Sequence, residues 1–174
     1  MSKKILVTGG AGFIGSHLVD KLVVDGYRVR ILDDLEPQVH SGVPSYINQG
    51  AEFIRGDIRN EDDLKRALKD TEIVFHYAAM VGVGQSMYQI HKYTDVNTGG
   101  TAKLLEILVN TAHRVEKLIV ASSMSIYGEG AYKCEECGVV YPKLRTEAQF
   151  EAGDWELSCP KCGRAVRSIS TDED

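Results

Sequence analysis

Residues 8–15 read TGGAGFIG, and this stretch limits the folds open to the chain more than any other. An apolar run, Ile5-Leu6-Val7, leads into it. A helical pattern with apolar Phe13, Ile14, Leu18, Leu22 and Val23 leads out. The glycines therefore lie between a predicted strand and a predicted helix. Glycine lets the chain turn tightly and lets the backbone approach a ligand where a Cβ would clash. The first N–H groups of the helix lack intrahelical partners and, with the helix dipole, suit an anion such as a pyrophosphate. Gly15 is expected to let the helix pack closely on the strand. Such glycines alone also occur in ordinary turns, but the following residues narrow the reading. Tyr27 to Leu32 reads as a second buried strand ending in Asp33-Asp34. An acid at that tip can accept hydrogen bonds from both ribose hydroxyls of an adenosine and repels a 2′-phosphate. No Arg follows it closely, which favours NAD over NADP.

The 174 residues, 43% of them hydrophobic, suit one ordinary domain with a small appendage. A net charge of −5 gives no reason to expect a nucleic-acid partner. The opening MSKKILVTGG is basic and then apolar, but its apolar part runs straight into the glycine turn, so it reads as neither leader nor membrane span. A cytoplasmic protein is expected. The four cysteines all lie in the last quarter as two CxxC pairs, which in such a protein read as metal ligands rather than disulfides.

Further along, Ala51 to Arg55 reads as a third strand, closed by Gly56-Asp57-Ile58. Asn60 is a predicted helix N-cap with Asp63 three residues on, and Leu64, Ala67 and Leu68 give that helix an apolar stripe. Glu72 to Phe75 is a fourth strand running into His76-Tyr77-Ala78-Ala79. A long helix is predicted from Asp95 to His113, and Lys117 to Ala121 is a fifth strand leading to Ser122–Gly128. Alternating strands and helices predict an α/β fold, a doubly wound parallel (Rossmann) sheet. Ligands of such sheets bind beyond the carboxyl ends of the strands. Gly9 to Gly12, Asp33, Asp57-Ile58, Tyr77 to Ala79 and Ser122 to Tyr127 should all fall there. His76, at the end of an apolar strand, reads as a buried structural histidine.

TGGAGFIG, ILDD, GDI, FHYAA, DVNTGGT and SSMSIYG, in this order, resemble the extended short-chain dehydrogenase/reductase family, above all its nucleotide-sugar epimerases and dehydratases. The resemblance covers residues 3 to about 128. It implies that Gly9, Gly12 and Gly15, with Phe13 and Ile14 at the helix start, face the NAD pyrophosphate. It implies that Asp33, followed by Asp34, holds the adenosine ribose, and that Asp57 and Ile58 meet the adenine. Tyr77, Ala78 and Ala79 would line the channel near the nicotinamide ribose. Asn97 would be the helix asparagine that orders the site, and Ser123 would bond the substrate hydroxyl being oxidised. The implied chemistry is hydride transfer on a nucleotide-sugar substrate. Related dehydratases carry Asp and Glu after the catalytic Thr. Here Met124 and Ser125 stand there, which favours a 4-epimerase or a reductase. Family members dimerise through the helix here predicted over 95–113 and a later one, so a homodimer is expected of the full-length enzyme.

The family's catalytic YxxxK does not follow SSMSIYG. Tyr132 is followed four residues later by Glu136, and Tyr141 by Arg145. The chain's only YxxxK, Tyr88 to Lys92, precedes the Ser123 strand and reads as a coincidence. The sequence thus looks like an N-terminal portion of a longer enzyme, expected not to turn over by itself. The other reading is a non-catalytic protein that binds or senses NAD.

Cys134-Glu-Glu-Cys137-Gly and Cys159-Pro-Lys-Cys162-Gly are each a tight knuckle in which glycine permits the turn and backbone N–H groups can bond the sulfurs. Together they predict a closed structural zinc site with four thiolates and no open position. Residues 1–130 are then a Rossmann domain, 131–168 a zinc ribbon of short hairpins with Tyr132, Trp155 and Leu157 as its core, and 169–174 an acidic tail. An insert at this point resembles that of a cysteine-rich subset of sugar epimerases, including enzymes acting on dTDP-rhamnose-type sugars.

Overall fold

The aliphatic runs of the first two thirds of the chain form five parallel strands. They are β1 (Lys4–Thr8), β2 (Arg28–Asp33), β3 (Glu52–Arg55), β4 (Ile73–His76) and β5 (Lys117–Val120), in the order β3-β2-β1-β4-β5. This is a Rossmann-like sheet whose strand order reverses between β1 and β4, where a crevice opens at the carboxyl ends. The computed structural model describes residues 2–173, and they fall into two units that divide between Ala121 and Ser122.

Alternation along the strands gives the first unit a core on each face of its sheet. Leu6, Leu32 and Val74 pack with Ile58, Leu64, Leu104 and Ile107 under helices α2 (Glu61–Leu68) and α5 (Gly100–Asn110). Ile5, Val7, Val29 and Ile31 pack with Val19 and Leu22 of α1 (Phe13–Val24). The buried stripe of α1 is Gly15, Val19 and Leu22. Phe13 and Ile14, expected at the cofactor, are 81% and 68% exposed. They occupy the first turn, which projects beyond the sheet at the glycine loop.

Asn60 caps α2 as expected, its Oδ1 accepting from the Asp62 and Asp63 amides at 2.9 and 3.1 Å. Asp63 does not complete a capping box, because its carboxylate takes the Asp57 amide at 3.0 Å instead. The other end of α2 is satisfied from the sheet. Buried Arg30 donates to the carbonyls of Ala67 and Lys69 at 2.7 and 2.8 Å.

The helix predicted over 95–113 differs from expectation at both ends. A short α3 (Val83–Ser86) is followed by α4 (Ile90–Tyr93). A wider π-type segment, Thr94–Gly99, then runs straight into α5, which stops at Asn110. His113 lies beyond it, its ring bonded to the Leu108 carbonyl at 2.7 Å. The extra residue of a π turn shifts the register of the side chains around it, and such turns cluster at functional sites.

In the second unit, β6 (Tyr132–Cys134) pairs antiparallel with both β7 (Gly138–Val140) and β8 (Arg167–Ser168). The unit reaches outside 131–168. The Ala131 amide bonds Thr171 Oγ1 at 2.9 Å, the Ile169 amide bonds the Ala131 carbonyl at 3.1 Å, and Arg145 pairs with Glu129 at 2.8 Å. Its core is Cys134, Val140 and Cys159, with Tyr132 and Val166 packed on it, and Leu157 is buried as expected. Trp155 is not core. It is 59% exposed and meets Phe150 edge to face at 5.7 Å. Nor is the unit all hairpin. Thr146 and Gln149 form a reciprocal capping box that starts α6 (Glu147–Ala152), and Gly153 ends it in the left-handed conformation. The signal for that helix, TEAQ before a glycine, was present in the sequence.

Candidate cofactor site

The turn after β1 is held from three sides. The Gly9 amide donates to the Leu32 carbonyl at 2.9 Å, the Ala11 amide to Asp33 Oδ2 at 2.9 Å, and Tyr46 Oη to the Ala11 carbonyl at 2.8 Å. Gly9 has φ +69°, and a Cβ there would lie 2.7 Å from the Ala78 nitrogen. Only glycine allows the two backbones to come together there. A Cβ on Gly15 would overlap the Gly9 carbonyl oxygen. Gly15 thus packs the helix against the glycine loop itself rather than against the strand. Gly12, the N-cap of α1, offers no side chain to the first turn, so the N–H groups there are left for an outside acceptor. A main-chain cradle that a Cβ would fill, at the uncapped start of α1, fits a pyrophosphate.

Next to it, Asp33 is 8% exposed and divides its carboxylate between two amides, Ala11 through Oδ2 and Leu35 through Oδ1, both at 2.9 Å. Each oxygen keeps a lone pair for a further donor. Asp34 is exposed and turns to the Glu36 amide at 3.1 Å. Partial burial, together with repulsion from Asp33 and Asp57, pushes its carboxyl above the usual range.

At the end of β3, Asp57 opposes its own partial burial through hydrogen bonds from Arg59, which hold its carboxyl below the usual range. Arg59 also reaches Asp95 of the π segment at 2.9 Å. It therefore bridges the tip of β3 to the helix after β4, a link that sequence inspection did not identify. The Ile58 side chain is buried in the core, where Gly100 makes room for it. Only its main chain remains to meet a ligand.

The segment after β4, Tyr77 to Met80, is pinned at both ends. The Tyr77 and Ala78 amides donate to Thr8 Oγ1 at 3.2 and 3.1 Å. Asn97 grips Met80 twice, its Oδ1 accepting from the Met80 amide at 2.7 Å and its Nδ2 donating to the Met80 carbonyl at 3.0 Å. Tyr77 and Ala78 are half-buried and Ala79 is exposed. In the first unit the structure therefore gathers Gly9 to Gly15, Asp33, Asp57, Tyr77 to Ala79 and Asn97 at the carboxyl edge of one sheet. Sequence reading missed Thr8, Tyr46, Arg59 and Met80 in these contacts. Tyr46 lies in a loop without periodicity, so nothing announced it.

The YxxxK residues are not a working pair. Tyr88 is exposed, and the Lys92 ammonium is engaged by Glu36 at 2.9 Å.

In the second unit, Ser123 caps a short 3₁₀ turn, Met124–Tyr127, its Oγ accepting from the Ser125 amide at 3.2 Å. The sulfurs of Cys134, Cys137, Cys159 and Cys162 all lie within 4.8 Å of one another, Cys134 and Cys162 at 3.5 Å. A tetrahedron with metal–sulfur bonds of about 2.3 Å has edges of roughly 3.8 Å, so four thiolates in this arrangement fit zinc. Gly138 and Gly163, one after each CxxC, have φ +74° and +72°, which gives the two knuckles the same turn. Hydrogen bonding to Cys162 pushes the Cys137 thiol up to about 12. Burial opposes ionisation of Cys159, but the Lys161 and Cys162 amides outweigh it and lower that thiol to about 7. Among the described residues no helix is long and apolar enough to cross a membrane.

Comparison with known proteins gives a consistent picture. The model of the NAD dependent epimerase/dehydratase family matches residues 5–148. A dTDP-L-rhamnose 4-epimerase of Burkholderia thailandensis is 37% identical over 159 residues, 89% of this chain and 44% of that protein. A bifunctional UDP-glucose 4-epimerase and UDP-xylose 4-epimerase of Pisum sativum is 38% identical over 137 residues, 74% of this chain and 39% of that protein. The crystal structure of a Thermus thermophilus UDP-glucose 4-epimerase in complex with NAD superposes with a TM-score of 0.62 at 29% identity, covering 94% of this chain and 44% of that one. The chain spans less than half the length of these relatives. The family model covers well over half of the chain, and the parallel sheet matches those of solved epimerases, so the chain belongs to the NAD dependent epimerase/dehydratase family.

Proposed function

We propose that this chain is the cofactor-binding part of an NAD-dependent nucleotide-sugar 4-epimerase that also carries a structural zinc site. The observation that carries the reading is the approach of Gly9 to Ala78, where two main chains close around a space that a single Cβ would fill. Bound NAD supplies a hydride acceptor that can also give the hydride back, which suits inversion at the sugar C4 through a keto sugar. The main chain of Gly9, Gly12, Phe13, Ile14 and Gly15 holds the pyrophosphate. Asp33, with Asp34 beside it, takes the adenosine ribose. Asp57 and the Ile58 main chain flank the adenine. Tyr77, Ala78 and Ala79, ordered by Asn97, line the nicotinamide-ribose end. Ser123 donates to or accepts from the substrate hydroxyl that loses its proton. Met124 and Ser125, which lack acid–base groups, agree with epimerisation rather than loss of water.

Cys134, Cys137, Cys159 and Cys162 hold the zinc. Four thiolates leave no open coordination position, so the metal folds the hairpins and takes no part in the reaction. The working enzyme is a cytoplasmic homodimer acting on a small-molecule substrate, with neither nucleic acid nor membrane as a partner.

The pairing of Lys92 with Glu36 favours a second reading, since it removes the chain's only YxxxK from catalysis. In that reading the protein binds NAD without turning over a sugar, and the hairpin unit is an interaction module. Native mass spectrometry with added NAD tests what the two readings share. One NAD and one zinc per chain are expected, and a chain that takes up no NAD overturns both. Conversion of a nucleotide sugar by the longest natural form of the polypeptide separates them.

A further inference from the structure

His76 is 4% exposed and has hydrogen-bond partners on both ring nitrogens. Thr8 lies directly across from it in the β1–β4 register, which puts both side chains on the same face of the sheet. Thr8 Oγ1 is 2.9 Å from Nδ1, and Thr101 Oγ1 of α5 is 3.0 Å from Nε2. The directions of these bonds follow from the neighbours. Thr101 spends its proton on the Asn97 carbonyl at 2.6 Å, so it must accept from His76. Thr8 Oγ1 already accepts the Tyr77 and Ala78 amides, so it must donate to His76. Nε2 therefore carries the proton and Nδ1 is bare, a neutral ring with one donor and one acceptor. The groups that face the ring from β1 and α5 are these two hydroxyls, and burial alone lowers its tendency to take up a second proton.

Thr8 holds the start of the Tyr77–Met80 segment, and Asn97 holds its end. His76 joins the two holders. Through Thr101 it reaches the main chain of Asn97, and through Thr8 it reaches the amides of Tyr77 and Ala78. The result is a closed ring of covalent and hydrogen bonds that includes the Tyr77–Met80 segment, which carries the three residues assigned above to the nicotinamide-ribose end. We propose that neutral His76 is a positioning residue for this segment, setting the shape of the cofactor channel without touching the cofactor. A second proton would remove the acceptor at Nδ1, oppose the Thr8 donor and release the Ala78 amide, while the Tyr77 amide keeps its bond to the Thr8 carbonyl at 3.1 Å. The role at the channel rests on the cofactor-site reading. The ring itself does not, and the two are measured separately.

The test is amide hydrogen exchange of the chain without NAD, followed residue by residue, beside an NAD titration of the same samples. In H76L the Ala78 and Met80 amides are expected to exchange about tenfold faster or more, the loss expected from one or two buried hydrogen bonds, while Tyr77, whose amide also bonds the Thr8 carbonyl, should change less. The Val7 and Ile31 amides, deep in the sheet, should change little. NAD affinity should fall by a similar factor. H76Q, which restores a donor near the Nε2 position and does not titrate, should recover part of the Met80 protection. It should also abolish the wild-type loss of protection, relative to the intrinsic rate at each pH, that these amides show once the pH falls below the ordinary imidazole range and the buried ring takes up a proton. Uniform acceleration across the sheet in H76L would make His76 an ordinary core residue and overturn the proposal. An acid response in H76Q equal to that of wild type would overturn it even if H76L does not fold. If exchange behaves as expected and NAD does not bind to wild type, the ring stands and the cofactor reading fails.

Discussion

The Asp33 carboxylate accepts a hydrogen bond from the Ala11 amide at 2.9 Å, which ties the tip of β2 to the glycine loop after β1. Its other oxygen takes the Leu35 amide, with Leu35 held at φ +56°, a conformation that a leucine reaches only under constraint. One side chain therefore shapes two loops and also presents the lone pairs assigned to the ribose. In D33N both bonds lose their charge and one becomes a clash of donors. A stability loss of about 1–3 kcal/mol is expected, with NAD affinity falling more than tenfold. Thermal melting and a binding titration measure the two effects. Unchanged affinity in a folded D33N would remove Asp33 from the cofactor site.

The glycines of the loop are not equivalent. An alanine at Gly15 drives its methyl into the Gly9 carbonyl, so either the loop or α1 must move. An alanine at Gly12, which has φ −70°, meets only the Gly9 carbonyl oxygen at 3.3 Å. G15A is expected to cost about 1–3 kcal/mol as an overpacked site and to lose NAD. G12A should fold with nearly wild-type stability and still bind NAD more weakly, because Gly12 belongs to the main-chain cradle proposed for the pyrophosphate. Equal melting temperatures for the two variants would show that the loop yields at Gly15.

Arg59 predicts an acid dependence. Asp57 sits below the usual carboxyl range because Arg59 hydrogen-bonds it against its own partial burial. A group whose folded pKa is depressed adds stability above its unfolded pKa of about 3.8, and that stability is lost as pH falls through the folded value. R59Q leaves only the backbone amide of residue 59 to oppose burial and should move Asp57 upward. Its urea midpoint is expected to start falling at a higher pH than that of wild type, with a difference at pH 7 kept small by the exposure of Arg59. Parallel pH profiles for the two proteins would mean that the bridge to Asp57 and Asp95 does not persist in solution.

Much of this was legible in residue order. The strands were legible because runs such as Ile5-Leu6-Val7 and Val29 to Leu32 are buried on both faces and admit few alternatives. The two knuckles were legible because CxxCG fixes both the ligands and the turn. The Gly9–Ala78 approach was not, since it joins residues 69 positions apart and depends on the β1–β4 register. The same holds for the Thr8–His76–Thr101 chain. The π segment left no sign either, because Thr94 to Gly99 keeps helical spacing within a turn and only the packing of Asn97 against Met80 reveals the extra residue.

The cysteines give the last prediction. The second unit has a core of only Cys134, Val140 and Cys159, with Leu157 and Ala131 also buried, too little apolar surface to order a fold of this size without a crosslink. On the zinc reading proposed above, the metal supplies most of what holds β6, β7 and β8 together. Removing zinc with a chelator, or making C134S, should therefore melt these hairpins and leave the five-stranded sheet standing on its two separate cores. Amide exchange resolves the outcome by position. Val139 and Lys133 should lose protection while Leu6 and Val74 keep theirs, and calorimetry should change from two transitions to one. Restoring zinc should recover the second transition in wild type and not in C134S. If hairpin protection survives complete removal of zinc, the four sulfurs are packing groups and the unit folds without a metal.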